Sequence, residues 1–394
     1  MSGAMTDSLH PSSQSAPPMD DDDLLTEILL RLPPQPSSLP RASLVCKRWR
    51  RLLSDVAFHA RFRIHHRSSP PLLGFFKSYS CSFQPILVAP DRVPPEHFSL
   101  QLSGPSFLLL GCRHGLVLIL DLRRHQLLVW DPVTADQRRI AVPEEFDATK
   151  NAINGEVLFP TGDIQHFQVV LVVAHKDHKQ HRRVVACVYS SDTDMWGDRI
   201  SIPLPSKDHY LHIMPFTSKP AVLVGNSLYW MLAGNQNPVG ILEFDLERQR
   251  LAMIEVPVDI FAKKSCQLWV MRAEGGGIGF LFVSESDFRI QLWKRMTDCA
   301  GIASWVLGRT IEIDKVLTLN SEEKGNLIML GLAENNNVVF LWTIIGVFMV
   351  QLDTLQYKKV FNTNISNCRP FESVYTTGGV IGGRRHSSEL LHNT

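Results

Sequence analysis

Three histidines stand three residues apart in AHKDHKQHRR (174–183): His175, His178 and His181. On a helix that spacing puts imidazoles on a shared face, where they could ligate a divalent metal. The runs VVLVVA and VVACVYS on either side are strand-like, so the stretch reads as the polar tip of a hairpin and no metal is assigned. RAEGGGIGF (272–280) has the glycines of a phosphate cradle. No G-K-[ST] ending and no helical pattern follow it, so it reads as a β-turn. Serines, histidines and acids are plentiful, but no nucleophile elbow or local triad signature joins them. The expectation is a chain with no catalytic residue, no metal and no cofactor. Ser387, after Arg384 and Arg385, is a candidate phosphorylation site in a polar C-terminal tail.

The stretch with most chemical content is ASLVCKRWRRLL (42–53), read as one short helix. Leu44, Val45, Trp49, Leu52 and Leu53 form an apolar stripe, and Lys47, Arg48, Arg50 and Arg51 fill the remaining surface. Residues 41–67 hold eight Lys or Arg against the single acid Asp55. A nucleic-acid helix needs that charge but not the interleaved stripe. A protein-docking helix needs the stripe and uses the charge to steer toward an acidic partner. Docking is therefore preferred to nucleic-acid binding, to a solvated face and to an import signal.

The elements around this stretch support docking. Acidic residues 20–23 suit the positive end of a helix, and Leu24, Leu25, Ile28, Leu29 and Leu32 give it a broad apolar face. Pro33, Pro34 and Pro36 end it. Ser37 or Ser38 can cap a second helix, with Pro40 tolerated in its first turn. DVAFHARFRIHHR adds an amphipathic tailpiece. About 45 residues rarely bury enough surface to stand alone. These hold more large apolar side chains than three short helices can hide, so another protein should cover the remainder.

Net charge is +1 over 394 residues, which removes any global case for binding nucleic acid or membrane. Seven scattered cysteines without a C-x-x-C pair, behind an N-terminus that lacks a signal-peptide pattern, imply reduced thiols in the cytoplasm, the nucleus or both. VVFLWTIIGVFMV (338–350) is too short to cross a bilayer and reads as two strands meeting near Gly346.

The expected organisation is a flexible tail (1–19), a small all-α helical domain (20–66), a linker with a first β segment (67–106), a large all-β domain (107–380) and a second flexible tail (381–394). Two kinds of unit recur in the β domain. GLVLILDLRRHQLLVWDPVTADQRRIAVP (115–143) returns in order at 226–257 and 326–360. Between these copies come VVACVYSSDTDMWGDRISIPLP (184–205) and FRIQLWKRMTDCAGIASWVLGRTIEI (288–313), each with a Trp, Trp196 or Trp305, after a polar turn. Short strands with periodic aromatics predict a propeller-like array of unreadable blade count. Its exposed connections lie near 123–125, 190–196, 233–238 and 333–337.

MDDDDLLTEILLRLPPQPSSLPRASLVCKRWRRLLSDVAFHARF resembles an F-box over about 45 residues. The usual Leu-Pro at the start is Pro18-Met19 here, and Pro40 heads the second helix. GNSLYW, ILEFDL, WDPVT and VYSSDTDMW resemble the β-rich domain that follows F-boxes in large plant families. The resemblance implies a substrate receptor of a cullin-based ubiquitin ligase. The F-box would bind a Skp-type adaptor, and through it a cullin, while the β domain holds a target protein of unknown identity. The chain would supply proximity rather than catalysis. By matching position, adaptor contacts fall on Leu24, Leu25, Ile28, Leu29, Leu32, Pro33, Val45, Cys46, Trp49 and Leu52, some of them shared with the internal core. The competing readings are a non-ligase binding module with an F-box-like fold and an enzyme built on a propeller.

Overall fold

A computed structural model describes residues 21–78, 80–100, 106–146, 152–160, 165–176, 182–204, 219–233, 238–257, 266–362 and 367–376. The chain opens with four helices: α1 (Asp22–Leu30), α2 (Ser38–Ser43), α3 (Lys47–Leu53) and α4 (Val56–His65). Asp21 caps α1 by accepting from the Asp23 and Leu24 N–H groups. The predicted single helix over 42–53 is broken. Cys46 is extended, with φ −160° and ψ 170°, and its sulfur caps α3 by accepting from Trp49 N. Leu44 and Val45 are thereby turned out of a helix into a corner. Ser37 caps α2 with no side-chain bond; its backbone N–H donates instead to Asp91 Oδ1 at 2.9 Å. The predicted tailpiece is α4, the longest of the four helices, and it supplies Phe58 and Phe62 to the core of the bundle.

Every remaining sheet is antiparallel, and together they form six blades around an axis. β1 (Leu72–Lys77) pairs with β2 (Phe83–Pro85) on one side and with the last strand of the chain on the other, and the three make blade 6. Blade 1 is β3 (Phe107–Arg113), β4 (Leu116–Asp121), β5 (Gln126–Trp130) and β6 (Gln137–Ala141). Blade 2 is β7 (Ala152–Leu158), β8 (Gln168–Lys176), β9 (Arg182–Ser190), and the short β10 (Met195–Trp196) and β11 (Ile200–Pro203), which both pair with β9. Blade 3 is β12 (Val222–Val224), β13 (Ser227–Ala233), β14 (Pro238–Asp245) and β15 (Arg250–Ile254). Blade 4 is β16 (Cys266–Arg272), β17 (Ile278–Ser284), β18 (Arg289–Thr297) and β19 (Ala303–Glu312). After the single-turn α5 (Ile313–Val316), blade 5 is β20 (Ile328–Ala333), β21 (Val338–Thr343), β22 (Gly346–Gln351) and β23 (Tyr357–Phe361). β24 (Cys368–Glu372) then closes the ring on β1, with Phe75 opposite Pro370.

Period-2 side-chain alternation explains the ring. In β4, Leu116, Leu118 and Leu120 face a cluster shared with blade 2, while Val117 and Ile119 face one shared with blade 6. A strand buried on both faces reads as a continuous apolar run, which is why GLVLIL shows no alternation. VVFLWTIIGVFMV resolves into β21 and β22, a hairpin whose second strand starts at Gly346. RAEGGGIGF is the turn between β16 and β17, with Gly275, Gly276 and Gly277 all at positive φ, where a Cβ would be strained. His175 lies in β8, opposite Arg183 of β9, as a hairpin requires. His178 and His181 lie outside the described residues, as do Pro18, Met19 and Ser387.

The two recurring units occupy alternate blades. The first supplies blades 1, 3 and 5, and the second contributes the outer strands of blades 2 and 4. The Trp of the second unit clasps the preceding blade: Trp196 Nε1 donates to Ala141 O at 2.9 Å and Trp305 Nε1 to Glu255 O at 2.8 Å. Replacing either Trp by Phe keeps most of the ring contact and removes the bond. Each change should lower unfolding free energy by about 0.5–1.5 kcal/mol in urea titrations of the full chain.

Candidate docking surface

The core of the helical bundle closes around Leu25, Leu29, Leu30, Leu39, Ala42, Leu53, Phe58 and Phe62, and Val374 from beyond β24 packs into it. Part of the apolar surplus expected to meet another protein is therefore covered by the chain's own C-terminal segment. The ten candidate contact residues separate by burial. Leu25 and Leu29 are 0% exposed and serve the internal core. Leu32, Trp49 and Leu52 are half-buried against that core. Leu24, Ile28, Pro33, Val45 and Cys46 are exposed. Leu44, at 74% exposure, sits beside Val45 at 62%. Its place in the apolar stripe was visible in the sequence, but the corner that exposes it was not, because helical periodicity runs through the break without interruption.

Charge holds this surface in shape. Asp22 takes Arg48 at 2.7 Å and Arg51 at 2.9 Å, tying the start of α1 to α3. The Arg48 hydrogen bond is the main reason that the Asp22 carboxyl titrates below its ordinary range. Part of the cationic excess of α3 is thus spent inside the bundle, and Arg41, Lys47 and Arg50 stand exposed beside Leu44 and Val45.

The bundle is seated on the propeller by α4 and the residues just after it. Arg63 donates to Asp131 Oδ2 at 2.6 Å, on the turn of WDPVT. Asp131 Oδ1 meanwhile accepts from the Val133 and Thr134 N–H groups, so the sequence-legible turn doubles as a receptor for α4. Arg67 donates to His114 Nδ1 at 3.0 Å and lies over the Phe159 ring, 4.5 Å from its centre. The Phe159 N–H also donates to that nitrogen, so His114 is neutral with its proton on Nε2. Burial first, then Arg113 and Arg67, push its imidazole down to about 3. His114 and Gly115 both have positive φ and form the two-residue turn that presents this seat. A cleft between α4 and blades 1 and 2, of about 440 Å³, runs alongside.

On the propeller axis, lone charges from different blades meet. Arg113 of blade 1 reaches Glu334 of blade 5 at 2.8 Å and Glu156 of blade 2 at 3.6 Å, and donates to Ala221 O beside blade 3 at 3.0 Å. Glu334 accepts from Leu223 N of blade 3, and Arg272 of blade 4 donates to Leu223 O. Asn335 and Asn336 bind Glu372 of blade 6, and Asn336 also donates to Pro70 O. This network cross-ties the ring around its axis.

Burial raises Glu156 to about 6, against the pull of Arg113. The folded chain thus holds a proton there that the unfolded chain releases from about pH 4.5 upward. This contribution to stability is present at low pH and is lost as pH rises toward 6. Glu156→Gln abolishes that titration, so its advantage over wild type should grow by about 2 kcal/mol from pH 4 to pH 7 in paired urea titrations.

The four candidate connections divide between two faces. Those at 190–196 and 333–337 lie on the face that carries the helical bundle, and the second is committed to Glu372 and Pro70. The connection at 123–125 lies on the opposite face, as do Ala233 and Pro238, the facing ends of β13 and β14; 234–237 fall outside the described residues.

Residues 108–376 match the family described as F-box protein AT5G49610-like, beta-propeller, and residues 21–61 match the F-box domain. The chain belongs to this F-box β-propeller family. It is 22% identical over 304 residues to the F-box/kelch-repeat protein At3g23880 of Arabidopsis thaliana, covering 72% of this chain and 80% of that protein. Among solved structures it is similar to a chain of a nidogen/laminin complex: TM-score 0.38, 10% identity, 75% of this chain and 95% of the other. A luciferin-regenerating enzyme matches at TM-score 0.35 and 9% identity, over 64% of this chain and 73% of the other. F-box β-propeller proteins are typically non-catalytic adaptors of substrate recognition, and F-box domains generally bind Skp-type partners. Among the described residues, no helix is long and apolar enough to cross a membrane.

Proposed function

We propose that this F-box protein is the substrate-recognition subunit of an SCF-type cullin ubiquitin ligase. The observation that carries this is the apolar surface left after the F-box has closed its own core. Leu24, Ile28, Leu44 and Val45 are exposed, and Arg41, Lys47 and Arg50 beside the last two make no ion pair among the described residues, although Val374 was available to cover part of the bundle. A Skp-type adaptor with an apolar, acidic docking surface fits that pattern, with Leu32, Trp49 and Leu52 as its half-buried border.

The F-box is clamped to the propeller at Arg63, Arg67 and Ser37. Binding the adaptor therefore sets where the propeller, and any target protein held on it, stands relative to the cullin. The chain's contribution to ubiquitin transfer is effective concentration. Seven free thiols suit a reducing compartment, and the proposal places the protein in the cytoplasm or nucleus. The test is co-elution of the full chain with a Skp-type adaptor and a cullin as one complex on size exclusion. A chain that stays folded and elutes alone at micromolar concentrations of all three would contradict the ligase role and favour a stand-alone binding module.

A further inference from the structure

The outer edge of blade 4 differs from every other blade edge. β6 carries Arg138 and Arg139, and β23 carries Lys358 and Lys359. β2 and β11 are three and four residues long and each ends in a proline, β10 has two residues, and β15 has five and begins with Arg250. Charge, proline and shortness are the devices by which sheet edges avoid pairing with other chains. β19 is ten residues long, and its first six, Ala303–Gly308, contain no charge and no proline. Five of these six are exposed, Val306 and Leu307 among them, and Ile302 just before them is 65% exposed. The edge also protrudes. β17 pairs with β18 only as far as Lys294, whereas β18 and β19 continue pairing through Thr297 and Ala303. On the inner side, Trp305 packs against Phe280 and is bonded to Glu255, which anchors the ribbon without covering its edge.

We propose that β19 accepts an extended segment of the target protein as an added strand, and that this segment is apolar with acidic flanks. This rests on the receptor reading above and names the recognition site for it. Strand addition supplies main-chain hydrogen bonds along Ala303–Leu307, which ends at the bulge at Gly308, and Ile302, Val306 and Leu307 supply apolar contact. The acidic flanks follow from charge. Lys294 and Arg295 border the patch and make no ion pair among the described residues, while Arg309 is already held by Leu352 O and Glu274. Two copies meeting edge to edge would leave those cations unmatched. Blade 4 stands across the ring from blade 1, which carries Asp131 and His114, so a segment bound here does not compete with the F-box for its seat.

The probe is a fluorescein-labelled DEVTVTVED peptide, titrated with the full chain and read by anisotropy. Saturable binding is expected, weakened about tenfold by Leu307→Glu and, separately, by Arg295→Glu. KKVTVTVKK should bind about tenfold more weakly than the acidic peptide, and DEVTPTVED should lose the strand pairing and with it the binding. Both substituted positions are exposed, and circular dichroism confirms that each variant is folded. Absence of saturable binding to wild type, or binding unchanged in both variants, overturns the proposal. So does self-association of wild type that Leu307→Glu abolishes, because a second copy would then own the edge. Adaptor co-elution is measured on the same preparations. Adaptor binding without peptide binding sinks this inference alone, and peptide binding without adaptor binding sinks the ligase role alone.

Discussion

Arg113→Ala should cost about 3–5 kcal/mol of unfolding free energy, the usual result of removing one partner from a buried ionic group. The change leaves Glu156, at 0% exposure, and Glu334 facing each other across the axis without their shared cation. Folded domains hold only about 5–15 kcal/mol in reserve, so the variant should be poorly soluble and unfold at markedly lower urea. Adding Glu156→Gln removes one stranded carboxylate and should recover part of the loss. The two substitutions will therefore be non-additive. Arg123→Ala, at an exposed turn, serves as the control and should move stability by no more than about 0.5 kcal/mol. If Arg113→Ala matched that control, the axial network would be ornamental and the ring would be held by its apolar clusters alone.

The helical front of the chain was largely legible, because capping and periodicity are local. Asp21, the leucines of α1 and the proline stop could be read directly. The break at Cys46 could not. An apolar stripe of period 3.6 continues across it, yet α2 ends at Ser43 with Leu44 as its cap, and the extended Cys46 beyond starts α3 with its sulfur as cap. The propeller was legible as a repeat but not as a count. Blade 6 is assembled from Leu72–Pro85 and Cys368–Glu372, strands joined by no local pattern. The axial network was invisible for a related reason. Arg113, Glu156 and Glu334 each stand alone near the end of an apolar strand, and nothing within any one strand says that the others are its partners. A single charge in that position is the usable signal. The grouping of the loops was hidden similarly: strand alternation assigns 333–337 and 123–125 to opposite faces only once the blades are known.

Burial likewise divides the F-box into residues that hold the fold and residues free to touch a partner. Leu29→Asp puts a charge into a fully buried position and should unfold the bundle, so loss of adaptor binding there says nothing about the interface. Val45→Asp and Leu24→Asp change exposed positions. They should leave helicity and urea stability close to wild type while weakening adaptor binding by roughly 30-fold or more each, as expected of hot-spot contacts worth about 2 kcal/mol. Removing exposed charge by Arg50→Gln should act mainly on the association rate and its salt dependence.

Calorimetric titration of a Skp-type adaptor into the full chain, comparing wild type with Val45→Asp, is the most direct measurement. One adaptor should bind per wild-type chain, with a negative heat-capacity change from apolar burial, and the folded Val45→Asp chain should lose roughly 30-fold or more in affinity. Equal binding by wild type and Val45→Asp, or no heat of binding with wild type at all, would contradict the claim that this exposed corner of the F-box is built to be covered by an adaptor.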